Sequence, residues 1–190
     1  MTTIEILSED TGIIHLYKDF EVKKDPFDEL QVELFRRETI TLFGKEYLQP
    51  RLIRFEGDDG VSYKYSKKVY EAEPWSEFSL YLLRKLSLVC DVEFNSVLIN
   101  WYRDGQDSMG LHADNEPELG KDPTIASVSF GAERKMRFRH NESKEKLDVD
   151  LPSGSLLLMS GSLQHHWKHE IPKTKKQIGP RMNFTFRKIL

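Results

Sequence analysis

The sequence holds one cysteine, Cys90, in 190 residues. An internal disulfide is therefore excluded, and the chain suits a reducing compartment. Long apolar runs are missing too: no stretch approaches the roughly 20 residues a membrane helix needs. Met1-Thr2-Thr3-Ile4-Glu5 has neither a basic region nor an apolar one, so no secretory signal is expected. The expected location is cytoplasmic, or nuclear in a eukaryote. Charge of one sign is also scarce. With 28 Lys and Arg against 31 Asp and Glu the formal net charge is −3, which argues against a general nucleic-acid coat protein. Local charge must then define any charged footprint. There is no internal repeat. What remains is enough chain for a sizeable core: one domain, or one core with an appended lid.

Local patterning predicts the elements. Residues 12–17 read as an opening strand, with His15 structural. Asp25 and Pro26 form a helix start, and Phe27, Leu30 and Leu34 recur at helical spacing. Glu38 to Phe43, broken by Gly44-Lys45 and resumed at Tyr47-Leu48, predicts a hairpin with Phe43 at its tip. Arg51 to Tyr70 reads as a second hairpin around Gly57-Asp58-Asp59-Gly60, with Tyr63 and Tyr65 sharing a face. Those tyrosines suit either the core or a platform for a base. Pro74 opens a predicted helix carrying Trp75, Phe78, Leu82, Leu86 and Val89 on one face.

From residue 96 the period changes to 2. Val97, Ile99 and Trp101 share one face, and Leu98, Asn100 and Tyr102 the other. Residues 125–130, 134–140, 147–151 and 156–159 read as further strands. Lys135, Arg137 and Arg139 form a basic row that is either solvated or in contact with phosphates. Arg181 to Arg187 alternates without a slip: Arg181, Asn183, Thr185 and Arg187 against Met182, Phe184 and Phe186. The polar row faces either solvent or the interior, and two guanidiniums on an interior face would require anions.

The chemistry centres on Gly110-Leu111-His112-Ala113-Asp114. In extended chain His112 and Asp114 point the same way, so one imidazole and one carboxylate can reach a single metal ion. A second imidazole would complete the 2-His-1-carboxylate triad of non-haem Fe(II) oxygenases. Gln164-His165-His166-Trp167-Lys168-His169 offers candidates, and His165 and His169 share strand parity, so parity alone does not choose between them.

Taken together, Asn100-x-Tyr102, His112-x-Asp114, His169 and Arg181-x-Asn183-x-Thr185-x-Arg187 resemble the AlkB family of Fe(II)/2-oxoglutarate dioxygenases, from about residue 40 onward. The likeness is greatest to the branch acting on duplex DNA. Leu42-Phe43-Gly44-Lys45 resembles its finger hairpin, and Gly57 to Ser66 its base-recognition hairpin. The resemblance implies an α+β fold with a double-stranded β-helix (jelly-roll) core. Residues 1–190 would form a single catalytic domain: N-terminal helices and a nucleotide-recognition lid in 1–95, the jelly roll with its iron and 2-oxoglutarate site in 96–190.

It further implies that His112, Asp114 and His169 bind Fe(II). Arg181, Tyr102 and Asn100 would hold the far carboxylate of 2-oxoglutarate, with Arg187 nearer the metal and Asn183 and Thr185 along the wall. Phe43, Gly44, Lys45, Tyr63, Tyr65, Ser66, Asn115 and Glu116 would meet the substrate, Phe43 as a wedge and Tyr65 as a stacking surface. Asn115 departs from the family pattern, which has a second Asp there, and this bears on base selectivity. The implied activity is oxidative demethylation of 1-methyladenine and 3-methylcytosine type bases in DNA, duplex favoured. O₂ is a cosubstrate, and formaldehyde and succinate are products. A monomer is expected. The competing expectations are a same-fold oxygenase acting on RNA or a protein side chain, and a jelly-roll nucleic-acid binder without chemistry.

Overall fold

The structure is a computed structural model that describes residues 2–42, 45–65 and 68–190, excluding the side chains at 40–42, 45, 64, 65 and 68. The expectations for Phe43, Gly44 and Ser66, and for the side chains of Lys45 and Tyr65, lie outside the described residues.

The chain begins with an antiparallel pair, β1 (Thr3–Glu9) and β2 (Gly12–Tyr17). A four-residue helix, α1 (Pro26–Glu29), follows, capped by the Asp25 side chain on the Phe27 amide at 3.0 Å. The cap is as expected, but the helix stops before Leu30, and Leu34 sits in a separate 3-10 turn with its side chain exposed. One turn of apolar spacing without further caps is too short to propagate a helix. Next come a hairpin of β3 (Thr39–Leu42) and β4 (Lys45–Leu48), then β5 (Leu52–Gly57), β6 (Ser62–Tyr65) and β7 (Lys68–Glu71). Here the expected second hairpin is corrected. β6 pairs with β7, whereas β5 pairs with β8 (Ser96–Tyr102) in the main sheet. The Gly57–Gly60 turn joins β5 of the main sheet to the separate β6–β7 pair rather than closing a hairpin. Between them, α2 (Glu77–Leu86) begins at an N-cap Ser76, not at Pro74.

The remaining strands are β9 (Met109–His112), β10 (Ile125–Gly131), β11 (Arg134–His140), β12 (Lys146–Leu151) and β13 (Ser155–Ser160). A single helical turn, α3 (Leu163–His166), then leads to β14 (Trp167–Ile171) and β15 (Arg181–Arg187). Two antiparallel sheets result, one of seven strands in the order β1-β2-β13-β10-β15-β8-β5, the other of four, β12-β11-β14-β9. This is the sandwich expected of a jelly roll. β1, β2 and β5 come from before residue 96, so the N-terminal part also completes the large sheet.

Two cores explain the arrangement. On the outer face of the large sheet, Val97, Ile99, Phe184 and Phe186 pack against Phe78, Leu82 and Leu86 of α2. Burying each such side chain stabilises by about 1.5–3 kcal/mol. Between the sheets, Ile14, Leu157 and Met159 face Met136, Phe138, Val149 and Trp167. The second core fills one end of the sandwich. Toward the other end, Asn100 of β8 and Arg181, Asn183, Thr185 and Arg187 of β15 are buried polar residues, and the site lies there. Gly131 sets the entry to β15: its φ is +83°, and any Cβ there would meet the Pro180 carbonyl oxygen. That close approach, with Ala132 N donating to Pro180 O at 2.8 Å, places Arg181 at the head of its strand. No helix among the described residues is long and apolar enough to cross a membrane.

Candidate active site

His112 ends β9 and His169 lies directly opposite it on β14, so sheet register brings the two imidazoles together, with ring centres 4.4 Å apart. Asp114 follows two residues later. Its carboxylate oxygens are 3.7 Å from His112 Nε2 and 3.9 Å from His169 Nε2. One ligand atom from each residue lies within 4.8 Å of the others, and this is the only such group of three among the described residues. His165 is excluded: it belongs to α3 and faces Asp122 at 3.1 Å.

Each member is held by a neighbour. Gly110 O accepts from His112 Nδ1 at 2.8 Å, which leaves the Nε2 lone pair toward the cluster. Gln164 Oε1 accepts from the Asp114 amide at 2.9 Å. Arg187 Nη2 donates to both Asp114 oxygens at 3.0 Å. Burial alone would raise the Asp114 carboxyl, but Arg187 and the two imidazoles outweigh it and hold the group down at about 2. Burial, then His112, lowers His169 to about 3, so its imidazole is neutral near pH 7. Neutral imidazoles and an ionised carboxylate are the donors a divalent metal requires.

Beside this cluster lies a small cavity whose wall includes Asn100, Tyr102, Ser127, Asn183, Thr185 and Arg187. The parity expected of β8 and β15 holds, with Asn183 opposite Asn100 and Arg181 opposite Tyr102. Asn183 and Thr185 are committed to the wall. Asn183 Nδ2 donates to Ser127 Oγ and Val128 O, and Thr185 Oγ1 donates to Asn183 Oδ1. Arg181 is 1% exposed and packs against Tyr102, its Nη2 donating to Ser129 Oγ at 3.0 Å. Burial lowers it to about 10. Its Nε and Nη1, and Nε of Arg187, have no acceptor among the described residues. Buried guanidinium donors without acceptors are rare and point to an anionic partner. A metal and an anionic cosubstrate therefore fit these residues.

Toward the lid, Tyr63 is buried against Phe55, 5.8 Å from the Arg187 guanidinium carbon. It belongs to a buried cluster with Ile53, Phe55, Leu98, Leu119 and Ile189. Burial, with a hydrogen bond to Glu116, pushes its hydroxyl far above the usual range. Glu116 is half-buried and Asn115 exposed.

Sequence reading missed three residues. Arg51 is buried and donates from Nε to Asn100 Oδ1 at 2.6 Å. Its signal was its parity with Ile53 and Phe55, a cation at the head of an inward face. Arg134 sits likewise on the face of Met136 and Phe138. Gln164, tethering Asp114, had no signal, because the contact crosses 50 residues of chain. Replacing Gln164 with Ala is expected to lower stability by about 1–3 kcal/mol, since the buried Asp114 amide loses its acceptor. Fe(II) affinity should fall roughly ten- to a hundredfold. Thermal melting and metal titration on one preparation check both.

The model of the 2OG-Fe(II) oxygenase superfamily matches residues 14–187. The chain belongs to this superfamily. A 2OG-Fe(II) oxygenase works with Fe(II), 2-oxoglutarate and O₂, and the donor set and the unpaired guanidinium donors suit them. The bovine protein named DNA oxidative demethylase ALKBH2 is 42% identical over 159 residues, which is 80% of this chain and 57% of that protein. The Arabidopsis thaliana protein of the same name is 33% identical over 193 residues, 86% of this chain and 61% of that one. Human alpha-ketoglutarate-dependent dioxygenase alkB homolog 3 is 37% identical, over 80% of this chain and 54% of its own length. The chain thus spans about three fifths of the length of these curated relatives. A solved structure titled OsALKBH1 shares the fold at a TM-score of 0.63 and 17% identity, covering 97% of this chain and all of that one.

Proposed function

We propose that the protein is an oxidative demethylase that removes alkyl groups from damaged DNA bases of the 1-methyladenine and 3-methylcytosine type, with duplex DNA as its preferred substrate. The observation that carries this reading is the His112, Asp114 and His169 cluster opening onto a cavity flanked by two buried guanidiniums. The relatives named DNA oxidative demethylase supply the substrate class.

His112, Asp114 and His169 would hold Fe(II), and Arg181 the far carboxylate of 2-oxoglutarate. When bound, the cofactor set supplies the oxidant that turns an N-methyl into an N-hydroxymethyl group, while 2-oxoglutarate becomes succinate and CO₂. The hydroxymethyl group then leaves as formaldehyde, and the nitrogen keeps a hydrogen. The chain's own residues prepare this reaction. Arg187 keeps Asp114 ionised and oriented, and Gly110 and Gln164 lock the remaining ligand geometry. Tyr63 and Glu116 close the lid side against water, and Glu116 Oε2, buried and without a partner among the described residues, is an acceptor for the exocyclic amine of a base.

A base inside a duplex must leave the stack, at a cost of a few kcal/mol that a damaged, poorly pairing base lowers. An apolar side chain can fill the gap. Phe43 lies between β3 and β4, and on the same lid Tyr47, Leu48 and Val69 are exposed apolar side chains. For phosphates, Arg137 and Lys135 of the basic row are already paired with Asp148, so Arg139 and the exposed Lys168, Lys173, Lys175, Lys176 and Lys188 would supply the positive charge.

Product analysis on methylated duplex, single-strand and RNA oligonucleotides with Fe(II) and 2-oxoglutarate tests the assignment. Repair of duplex DNA first supports it. Repair of RNA alone, turnover only on a protein substrate, or binding without succinate release supports the competing readings. Phe43→Ala should cut duplex repair, spare single-strand repair and barely move the melting temperature. A fall of about 3–5 kcal/mol in stability with equal loss on both substrates would make Phe43 a core residue instead.

A further inference from the structure

Arg134 is buried, and a guanidinium on an inward face needs acceptors. It finds three, all backbone carbonyls. Nη1 donates to Asp104 O at 3.2 Å, and Nη2 donates to Asp107 O at 2.9 Å and Pro172 O at 2.7 Å. The clamp ties the loop after β8 to the end of β14. None of the three acceptors is an anion. The nearby Asp107 carboxylate is taken by Arg103 through two bonds of 2.7 Å. Burial accordingly lowers Arg134 below its ordinary range, with Tyr102, Asp107 and Asp104 offsetting part of the effect.

The Arg134 guanidinium carbon also lies 5.5 Å from the centre of the Tyr102 ring, and that of Arg181 lies 5.1 Å from the same centre. Two buried cations therefore share one aromatic ring. Each ring contact stabilises its cation, but the two charges repel, and Arg134 is among the groups that lower Arg181. Tyr102 itself forms part of the cavity wall. An anion at that end of the cavity would be attracted by both cations in a low-dielectric setting.

We propose that Arg134 is a specificity-determining positioning residue: acting through Tyr102 and its carbonyl clamp, it adds a second positive charge to that of Arg181 and so selects a 2-oxo acid with a far carboxylate over one without. The inference rests on reading the cavity as the 2-oxoglutarate site. It differs from the role of Arg181, whose unpaired donors meet the carboxylate directly.

The experiment is calorimetric titration of the Mn(II)-loaded full chain with 2-oxoglutarate and with 2-oxopentanoate, which has the same 2-oxo acid end and no far carboxylate. The parent should prefer 2-oxoglutarate. R134M should weaken 2-oxoglutarate about tenfold and leave 2-oxopentanoate within about twofold, while R134K, which keeps the charge, stays near the parent. R134Q, still able to donate to one carbonyl, gives the same readout should R134M not fold. Parent-like affinity for 2-oxoglutarate in a neutral variant would overturn the proposal. Equal loss of both ligands would overturn it too, because that marks a merely structural clamp. A parent with no preference between the ligands would overturn the cavity reading itself, a result distinct from the other two.

Discussion

Replacing His112 with Ala is expected to abolish turnover and leave the melting temperature almost unchanged. The side chain is 20% exposed at the mouth of the cavity, and its one fixed hydrogen bond is to the Gly110 carbonyl two residues back. Asp114→Ala should abolish turnover too, but with a different thermal signature. Asp114 is 3% exposed, and its carboxylate accepts from Arg187, itself 6% exposed. Removing it strands a buried guanidinium, and breaking one side of a buried ion pair typically costs about 3–5 kcal/mol. An open-site reading of His-x-Asp predicts that both variants fold equally well; the structure separates them. Activity and melting temperature measured on both variants check this. Full turnover in either one would remove the metal assignment, and equal melting temperatures would show that Arg187 does not depend on Asp114.

Arg181→Met should have the second largest effect. In the parent its Nε and Nη1 lack acceptors among the described residues, so the unliganded protein carries an unbalanced buried charge. A side chain of similar length without that charge should leave the free protein as stable as the parent, or more so. The affinity for 2-oxoglutarate should fall by about 2–5 kcal/mol, the usual loss when one partner of a buried charge pair is removed. The readout is the ligand-induced rise in melting temperature together with the KM for 2-oxoglutarate. An unchanged affinity would mean that the far carboxylate binds elsewhere.

Much of this site was legible in the chain because it rests on period 2. Asn100 and Tyr102, and Arg181 to Arg187, face where alternation puts them, and the aromatic residues between them pack on α2. His112 and Asp114 are likewise a local pattern. What local pattern lacks is partnership across the sheet. Arg51 to Gly57 looks like one arm of a hairpin, since a turn follows it, yet its edge pairs with β8 about 45 residues later. Parity left His165 and His169 equal until a single helical turn took His165 out of the strand. Arg51, Arg134 and Gln164 stand among apolar neighbours, and only the tertiary contacts reveal the acceptors and donors that keep them there. Tyr63 suits core or platform by sequence alone, and its burial is set by neighbours such as Phe55 that local pattern does not reveal.

The most direct test of the central claim is the stoichiometry of one reaction. A duplex oligonucleotide carrying a single 1-methyladenine is incubated with the protein, Fe(II), 2-oxoglutarate and O₂, and formaldehyde, succinate and unmodified adenine are counted. The expected result is equal amounts of all three, none of them formed without Fe(II) or 2-oxoglutarate. Succinate released with the methyl group still on the base would contradict the account.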